Sequence, residues 1–518
     1  MKFIAIPLVC FFAATMPPDE QVEQDKKGPA QAPVYDRDEL AQRIDELARF
    51  AVEKEGLPGL TIAVAEADEV FFAKGYGYAD AEHAQAAKDT TRYPIGTLTR
   101  QFTSVAILQL VDAEKIKLTD GLEAYLPEFP LAGRKVTIEQ LLANTSGIPG
   151  FSKLAGRTDR AGSPGKKPED KAPDVPKGKK DEGESKGLAQ KQDKKPADEP
   201  TPKTGTAKTA PSADADLEKA FFAQFKDVPF DFEPGSDFSL DSSGYALLSI
   251  VVSRVAKLPY TQYVKEKILE PVGMTETQFC RRGETAFGFA RDCAGAASDE
   301  DLELPIAEAG ELYTQSLCAS ARDLVKWQQA LLSRSVFSEQ GSRRIMAPTT
   351  LADGNSTNFG YAIQMSKLND FKNYAYTGVG AGYRTRLSYW SLPKVTIVVM
   401  ANCDAAPVER IERDIARFVL SVPLPPNEEM KLSPEDAARC VGMYQIATTQ
   451  YRIVERDGQL WFTPPVQTAT RLRHRGELVF AFETDRDVTV KFTACEDGKC
   501  AGFTLYRGGF ENQAKRMD

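Results

Sequence analysis

Residues 96–112 of the chain read GTLTRQFTSVAILQLVD, and this stretch decides the fold. It begins with a glycine and hydroxyl residues, and apolar side chains then follow almost all round the helix that the pattern predicts. A surface helix shows one apolar stripe, so this pattern favours a helix buried inside a domain. Its first turn carries Thr97 and Arg100 and is the place where chemistry is expected.

The sequence on both sides of this helix predicts a domain of the α/β class. Residues 36–59 place apolar side chains at helical spacing before a Gly-Leu-Pro-Gly break, and residues 59–80 read as a β-hairpin. Residues 373–404 read as adjacent strands with a glycine-rich start, and a helix is predicted over 408–420. Strands are thus predicted near both ends of this region, together with helices.

The bulk composition narrows the classes of partner. The chain has 518 residues, more than a single core usually organises, so two folded units are expected. Lys and Arg number 65 against 74 Asp and Glu, and no basic stripe stands out, which argues against nucleic acid as a partner. No apolar run reaches the roughly 20 residues that cross a bilayer, so no transmembrane span is expected in the mature chain.

The first residues predict export. Lys2 precedes an apolar stretch from Phe3 to Ala14, which has the length of a signal-peptide core. We expect a signal peptide over 1–16 and a polar, proline-rich linker over 17–35. The protein would then be periplasmic, associated with the cell envelope or secreted.

Two further segments differ in composition from the main domain, which is predicted over 36–425. Residues 152–215 are rich in Lys, Pro, Asp, Glu, Gly and Ala and are predicted to form a disordered insertion within that domain. Residues 432–518 alternate apolar and polar side chains between closely spaced turns. This second pattern predicts a small antiparallel β-rich module, either a meander or a barrel.

Cysteine and histidine usage leaves several alternatives open. One of the eight cysteines lies in the signal segment, and the odd remainder does not read as a disulfide framework. Cys495 and Cys500 flank a turn and either form a local disulfide or remain thiols. His83 and His474 have polar neighbours and are interpreted as surface residues, without metal-ligand or triad spacing. Neither a metal nor a cofactor is expected.

The segment from Gly96 to Thr103 resembles the nucleophile motif Gly-Ser-x-x-Lys-Gln-Phe-Thr of the serine β-lactamase and penicillin-binding-protein family, closest to class C β-lactamases, DD-peptidases and related esterases. The resemblance covers about residues 36–425 outside the insertion. It rests on the order of LEAYLPEFP, TIEQLLANTSGIPGF, a Pro-Gly before a Gly-Tyr, EPVGM and a Thr-Gly strand. It implies an antiparallel sheet flanked by helices plus a helical subdomain.

The resemblance implies that Thr97 and Arg100 stand where the family has its nucleophilic Ser and its Lys. Threonine keeps a hydroxyl, but its methyl group crowds a site shaped around serine. A guanidinium stays protonated in proteins and cannot act as a neutral base. Loss of a positioned base costs about 100- to 10,000-fold in rate.

The other two family motifs are also altered. Leu240 and Ser242 fall at the Tyr and Asn of Tyr-x-Asn, and Asp241 or Tyr245 could replace the tyrosine only from a different phase of the backbone. Tyr376 and Gly378 fall at the Lys or His and the Gly of the third motif. The remaining glycine spacing predicts an oxyanion pocket formed by the backbone N–H groups of Thr97 and Val379.

These changes lead to one main hypothesis and two alternatives. The main hypothesis is an exported, inactive or impaired homologue that binds a peptide, a cell-wall fragment or a protein partner in the family cleft. The first alternative is an active hydrolase that uses Thr97 as its nucleophile, with Arg100 as an electrostatic partner. In the second, the cleft is vestigial, and the insertion or the C-terminal module mediates assembly.

Overall fold

The computed structural model describes residues 35–80, 84–150, 154, 211–240, 243–280, 317–380, 382–403, 405–426, 428–446, 449–464, 469–483, 485–493, 495–496 and 498–517. The predicted signal peptide lies outside the described residues. So does the predicted linker up to residue 34. Of the predicted insertion, only Leu154 and the residues from Pro211 onwards are described.

A seven-stranded antiparallel sheet forms the centre of the main domain, in the order β3-β2-β1-β10-β9-β8-β7. A small sheet of order β4-β6-β5 lies beside it. The strands are β1 (Gly59–Glu66), β2 (Glu69–Asp80), β3 (Gln85–Ala86), β4 (Tyr93–Pro94), β5 (Gln278–Phe279), β6 (Leu317–Ala319), β7 (Gln364–Leu368), β8 (Phe371–Gly380), β9 (Tyr383–Trp390) and β10 (Val395–Ala401). The predicted hairpin is β1–β2, and strands from both ends of the region meet where β1 pairs with β10.

Helices flank this sheet, and the last of the described helices packs against the C-terminal strands instead. They are α1 (Arg37–Glu53), α2 (Arg100–Asp112), α3 (Ile138–Leu142), α4 (Pro211–Ala223), α5 (Ser243–Ala256), α6 (Tyr260–Val264), α7 (Glu270–Val272), α8 (Ala321–Ser333), α9 (Glu339–Ile345), α10 (Val408–Leu420) and α11 (Pro434–Cys440). Helices α1 and α10 pack on one face, and α2 and α8 lie in the core on the other. None of the helices within the described ranges is long and apolar enough to span a bilayer.

Helix α2 is buried nearly all round, as its sequence predicts. Every residue from Arg100 to Leu108 is buried. The ring of Phe102 stacks on Trp327 of α8 with 3.9 Å between ring centroids. Gln101 accepts a hydrogen bond of 2.8 Å from the indole of Trp327 and donates one of 3.0 Å to the carbonyl of Ala362. These two hydrogen bonds satisfy the amide group of Gln101, so its burial leaves no polar atom of that amide without a partner.

The C-terminal part of the chain is a closed antiparallel barrel of eight strands, which confirms the predicted β module. The barrel strands are β11 (Gly442–Ile446), β12 (Thr449–Arg456), β13 (Gln459–Thr463), β14 (Thr470–Gly476), β15 (Val479–Phe482), β16 (Thr489–Phe492), β19 (Gly502–Arg507) and β20 (Phe510–Arg516). A separate ribbon joins β17 (Cys495–Glu496) to β18 (Lys499–Cys500). Tyr444, Phe480 and Phe503 fill the barrel core.

The prediction of a surface position for His474 is wrong. Its side chain is 9% exposed and packs against Phe480, with 5.0 Å between ring centroids. Strand β14 alternates its side chains, so Leu472 and His474 share the inward face between the arginines of the outward face. The charge of the neighbouring residues therefore does not indicate to which face of the strand the His474 side chain points. His83 lies outside the described residues.

The described cysteines answer part of the question that the sequence left open. Cys280 forms a disulfide with Cys318, which links the end of β5 to β6. Cys403 and Cys500 are also disulfide-bonded. Cys495 is the register partner of Cys500 across the β17–β18 ribbon. Cys440 is a buried free thiol.

The barrel is attached to the main domain through charged side chains of helix α10. Nη1 of Arg413 donates hydrogen bonds of 2.7 Å to both carboxylate oxygens of Asp485 and lies 3.4 Å from Asp487. The buried guanidinium of Arg417 pairs with the same Asp487. At the sheet edge, the amide of Lys367 donates a 2.7 Å hydrogen bond to the carbonyl of Gly508 in the β19–β20 turn.

Neutralising both aspartates should loosen the barrel. The change Asp485→Asn with Asp487→Asn removes the charge partners of two largely buried arginines, at a cost of about 2–3 kcal/mol in the free energy of unfolding. Urea denaturation measures this loss, and limited proteolysis between residues 421 and 433 reports the detachment. The matched control is Glu435→Gln, which removes an exposed pair with Arg439 and should cost less than about 1 kcal/mol. Equal losses in the two variants would contradict the assignment.

Candidate catalytic cleft

The turn that carries Thr97 lies directly against strand β8, and two glycines permit this contact. Gly96 has a φ of +52°, and a Cβ added there would lie 2.1 Å from the carbonyl oxygen of Val379. A Cβ added to Gly378 would lie 2.0 Å from the carbonyl oxygen of Ile95. Real side chains do not tolerate such distances, so both positions require glycine. The third-motif strand is thereby held against the first turn of the α2 segment.

The hydroxyl of Thr97 joins these two elements. It donates a hydrogen bond of 3.3 Å to the carbonyl oxygen of Thr377 and accepts one of 3.2 Å from the amide of Val379. The structure therefore brings together Thr97 and Val379, the two residues expected to form an oxyanion pocket. Within the described residues, no titratable side chain hydrogen-bonds to this hydroxyl.

Arg100 is buried one turn further along, between two tyrosines. Its Nη1 donates a hydrogen bond of 3.4 Å to the hydroxyl of Tyr376. Its guanidinium carbon lies 5.4 Å from the ring centroid of Tyr245, which is a cation–π contact. The residues at the lysine position and at the third-motif cation position are thus in contact with each other. Their contact stabilises a buried charge.

Tyr245 is committed to this structural role. Its hydroxyl donates a hydrogen bond of 2.7 Å to the carbonyl of Leu142 and lies 3.3 Å from the hydroxyl of Ser104. Burial raises the pKa of Tyr245 well above its usual value. A phenol that is held in this way does not readily give up its proton, so Tyr245 is a poor substitute for the family's proton-shuttling tyrosine.

Of the second motif, the structure describes only Leu240. Its side chain is 49% exposed, and because it is aliphatic it cannot transfer a proton. Ser242 and Asp241 lie outside the described residues. Asn144, which sequence reasoning did not single out, is buried with a φ of +57°, and its carbonyl accepts a hydrogen bond of 3.0 Å from the amide of Ser239. Among the described residues, its side-chain Nδ2 has no hydrogen-bond partner. In the sequence, this residue is marked only by its position before Thr-Ser-Gly.

A charged network supports Thr377 from the other face of the sheet. Its hydroxyl donates a 3.1 Å hydrogen bond to Glu409 of α10 and accepts one of 3.1 Å from Nη1 of Arg386. Burial alone would raise the pKa of Glu409, but Arg384 and Arg386 more than offset this, and the pKa is lowered. Glu409 is therefore ionised at neutral pH and fixes the side chain of Thr377. Sequence patterns do not reveal this network because its members come from β8, β9 and α10.

Comparison with known proteins identifies the family. The sequence model named Beta-lactamase matches residues 40–421, which is most of the chain. The chain belongs to the Beta-lactamase family. The resemblance seen in the motifs is therefore confirmed, together with the predicted sheet, the flanking helices and the appended β module. Among the described residues, no group of three or more His, Cys, Asp or Glu side chains is placed to hold a metal ion.

Curated relatives of this family are distant. Protein flp of Staphylococcus aureus (strain COL) is 27% identical over 293 residues, which is 55% of this chain and 48% of that protein. The chain thus spans about half the length of this relative. The putative penicillin-binding protein PbpX of Bacillus subtilis (strain 168) is 23% identical over 347 residues, which is 66% of this chain and 70% of that protein.

Solved structures of Beta-lactamase relatives share the fold. An octameric penicillin-binding protein homologue from Pyrococcus abyssi has a TM-score of 0.56 at 19% identity, over 93% of this chain and all of that chain. A D-amino acid amidase from Ochrobactrum anthropi SV3 has a TM-score of 0.53 at 15% identity, over 74% of this chain and 98% of that chain. At these identities the similarity concerns the fold alone.

Replacing Gly378 should disrupt the contact between the Thr97 turn and β8. The added methyl group of Gly378→Ala would collide with a backbone oxygen, so we expect a loss of about 1–3 kcal/mol in the free energy of unfolding. The matched control is Gly380→Ala, because a Cβ at Gly380 would meet its nearest neighbour, the Cα of Gly96, at an ordinary 3.7 Å. Chemical denaturation compares the two variants. An unchanged stability of Gly378→Ala would show that the contact is looser than described.

Proposed function

We propose that this Beta-lactamase-family protein is an inactive or severely impaired homologue that binds a peptide, a cell-wall fragment or a protein partner in the cleft beside Thr97. The observation that carries this proposal is the environment of the Thr97 hydroxyl. This hydroxyl donates a hydrogen bond to the carbonyl of Thr377, and an amide carbonyl is too weak a base to remove the proton. The side chain at the lysine position is a guanidinium held by two tyrosines.

Acyl-enzyme chemistry needs a base that removes the hydroxyl proton as the oxygen attacks a carbonyl. Neither Arg100 nor Tyr245 is suited to this task. Arg100 is always protonated, and burial disfavours ionisation of Tyr245. The amide of Val379, which would stabilise an oxyanion, already donates to the Thr97 hydroxyl. Proton removal and anion stabilisation are both compromised, whereas a binding cleft needs neither.

Disulfide bonds support the exported location that forms part of this proposal. Cys280 and Cys318 are joined, and Cys403 and Cys500 are oxidised as well. Structural disulfides persist in oxidising compartments such as the periplasm or the cell exterior. A cell-wall peptide or an envelope protein would be available to the cleft in these compartments.

An active hydrolase is the second candidate, and one observation favours it. The Thr97 hydroxyl lies 3.2 Å from the Val379 amide, so a nucleophile and an oxyanion donor are adjacent. In that case a water molecule or the substrate itself would have to take the proton, with Arg100 acting only through its charge.

Incubation with a reactive β-lactam separates the two functions. We expect intact-mass spectrometry to detect no covalent adduct on the wild-type protein and no hydrolysis of a chromogenic cephalosporin. The double variant Thr97→Ser with Arg100→Lys restores both reactive groups and should acylate at least about 100-fold faster, because a positioned base contributes that much or more. A melting curve verifies that this variant is folded.

The control for this experiment is Thr97→Val, which keeps the shape of the side chain and removes the hydroxyl. A wild-type adduct that turns over and that disappears in Thr97→Val would overturn the proposal and establish the hydrolase. Binding of a soluble cell-wall peptide, measured by calorimetry, should be retained in Thr97→Val.

A further inference from the structure

The outer face of barrel strand β14 carries a row of three arginines. Arg471, Arg473 and Arg475 alternate with Leu472 and His474, which are buried in the barrel. Residues two apart on a strand share a face, so the three side chains follow one another with about 7 Å between successive Cα atoms. All three are half-buried. Water and salt therefore screen their charges less than those of fully exposed arginines.

Two carboxylates balance the first part of this row. Arg471 donates a hydrogen bond of 2.5 Å to Glu429 and another of 3.0 Å to Glu483. Arg473 donates a hydrogen bond of 3.0 Å to the same oxygen of Glu483. The two arginines thus share one carboxylate, and the other is held by Arg471.

Arg475 forms no ion pair with any acid in the described part of the chain. Its Nη1 donates to the carbonyl oxygen of Glu428, and its buried Nη2 has no acceptor among the described residues. Burial lowers the pKa of Arg475, and the positive charges of Arg473 and Arg486 lower it further. The charges of Glu429 and Glu428 oppose this shift without cancelling it. An anion beside this guanidinium would stabilise its charged form.

Arg486 adds its charge to the row from the turn that follows β15. This turn is fixed, because the amide of Asp487 donates a 3.1 Å hydrogen bond to Asp485 and both carboxylates pair with Arg413 of α10. Arg486 lies between these aspartates in the chain and is half-buried. Within the described ranges it forms no ion pair of its own. A second cation without an acidic partner is therefore held near Arg475.

We propose that Arg473, Arg475 and Arg486 bind a phosphate group, either as the free ion or as a phosphomonoester. Together with Arg471 they carry four positive charges, against two ion-paired carboxylates among the described residues. A phosphomonoester carries about 1.5 to 2 negative charges at neutral pH, which matches this excess.

The geometry of the guanidinium group also favours phosphate. Each guanidinium presents pairs of N–H donors, and three of them around one phosphate can serve its three terminal oxygens. A carboxylate offers one charge and two oxygens, so it matches the three arginines less well. The site lies on the barrel and involves no residue of the Thr97 cleft, so it goes beyond the proposed function and can be tested separately from it.

Calorimetric titration of the full chain with inorganic phosphate and with glycerol 3-phosphate tests this proposal. We expect saturable binding that weakens about tenfold in Arg475→Gln and in Arg486→Gln, since one charge-assisted contact contributes about that factor. Each variant removes a charge that no acid balances, so both should fold. Melting curves verify this, and phosphate should raise the melting temperature of the wild type more than that of either variant.

The matched control is Arg452→Gln. Arg452 is exposed, forms no ion pair among the described residues, and lies on β12, which is not a neighbour of β14 in the barrel. Its affinity for phosphate should equal that of the wild type, and an equal loss in this variant would reduce the effect to net charge and contradict the site.

The choice of ligand decides the remaining outcomes. Acetate should bind more weakly than phosphate, and equal binding would overturn the phosphate assignment. Absence of saturable binding by both phosphate compounds would overturn the site itself. Tighter binding of glycerol 3-phosphate than of inorganic phosphate would assign the site to phosphorylated organic molecules, and the reverse order would assign it to the free ion.

Discussion

Direct backbone contact between the Gly96 turn and strand β8 is the constraint on which the cleft depends. Neither Gly96 nor Gly378 has room for a Cβ, and the Thr97 hydroxyl bridges the two elements. On the opposite face of the sheet, ionised Glu409 holds the side chain of Thr377. The strand is therefore fixed from both sides.

The substitutions in the first and third motifs are compatible with one another. A guanidinium buried at position 100 requires partners, because an uncompensated buried charge is costly. Tyr376 supplies a hydroxyl and Tyr245 supplies a ring face. A reactive lysine in the same place would need a neutral form, whereas Arg100 needs only contacts. Arg100 and Tyr376, at the lysine position and at the third-motif cation position, thus form one buried contact.

The sequence predicts those elements whose formation depends on residues close together in the chain. The buried helix α2, the β1–β2 hairpin and the β-rich C-terminal part follow from periodicity and turn residues, and glycine spacing predicted the close approach of β8. Features built from distant segments were not predictable. The Cys280–Cys318 disulfide, the Glu409 network and the contact of Tyr245 with Arg100 join elements far apart in sequence. His474 was assigned to the wrong environment because its neighbours on β14 point the other way.

The turn at Gly508 and Gly509 has a second effect on the molecule. Strand β7 is the last strand of the seven-stranded sheet, and an uncovered edge offers free amides and carbonyls to any other chain. The turn lies against Ser366 and Lys367 and takes up one of these amides. The barrel therefore acts as a cap that discourages strand addition, and a main domain produced without it would be prone to self-association through β7.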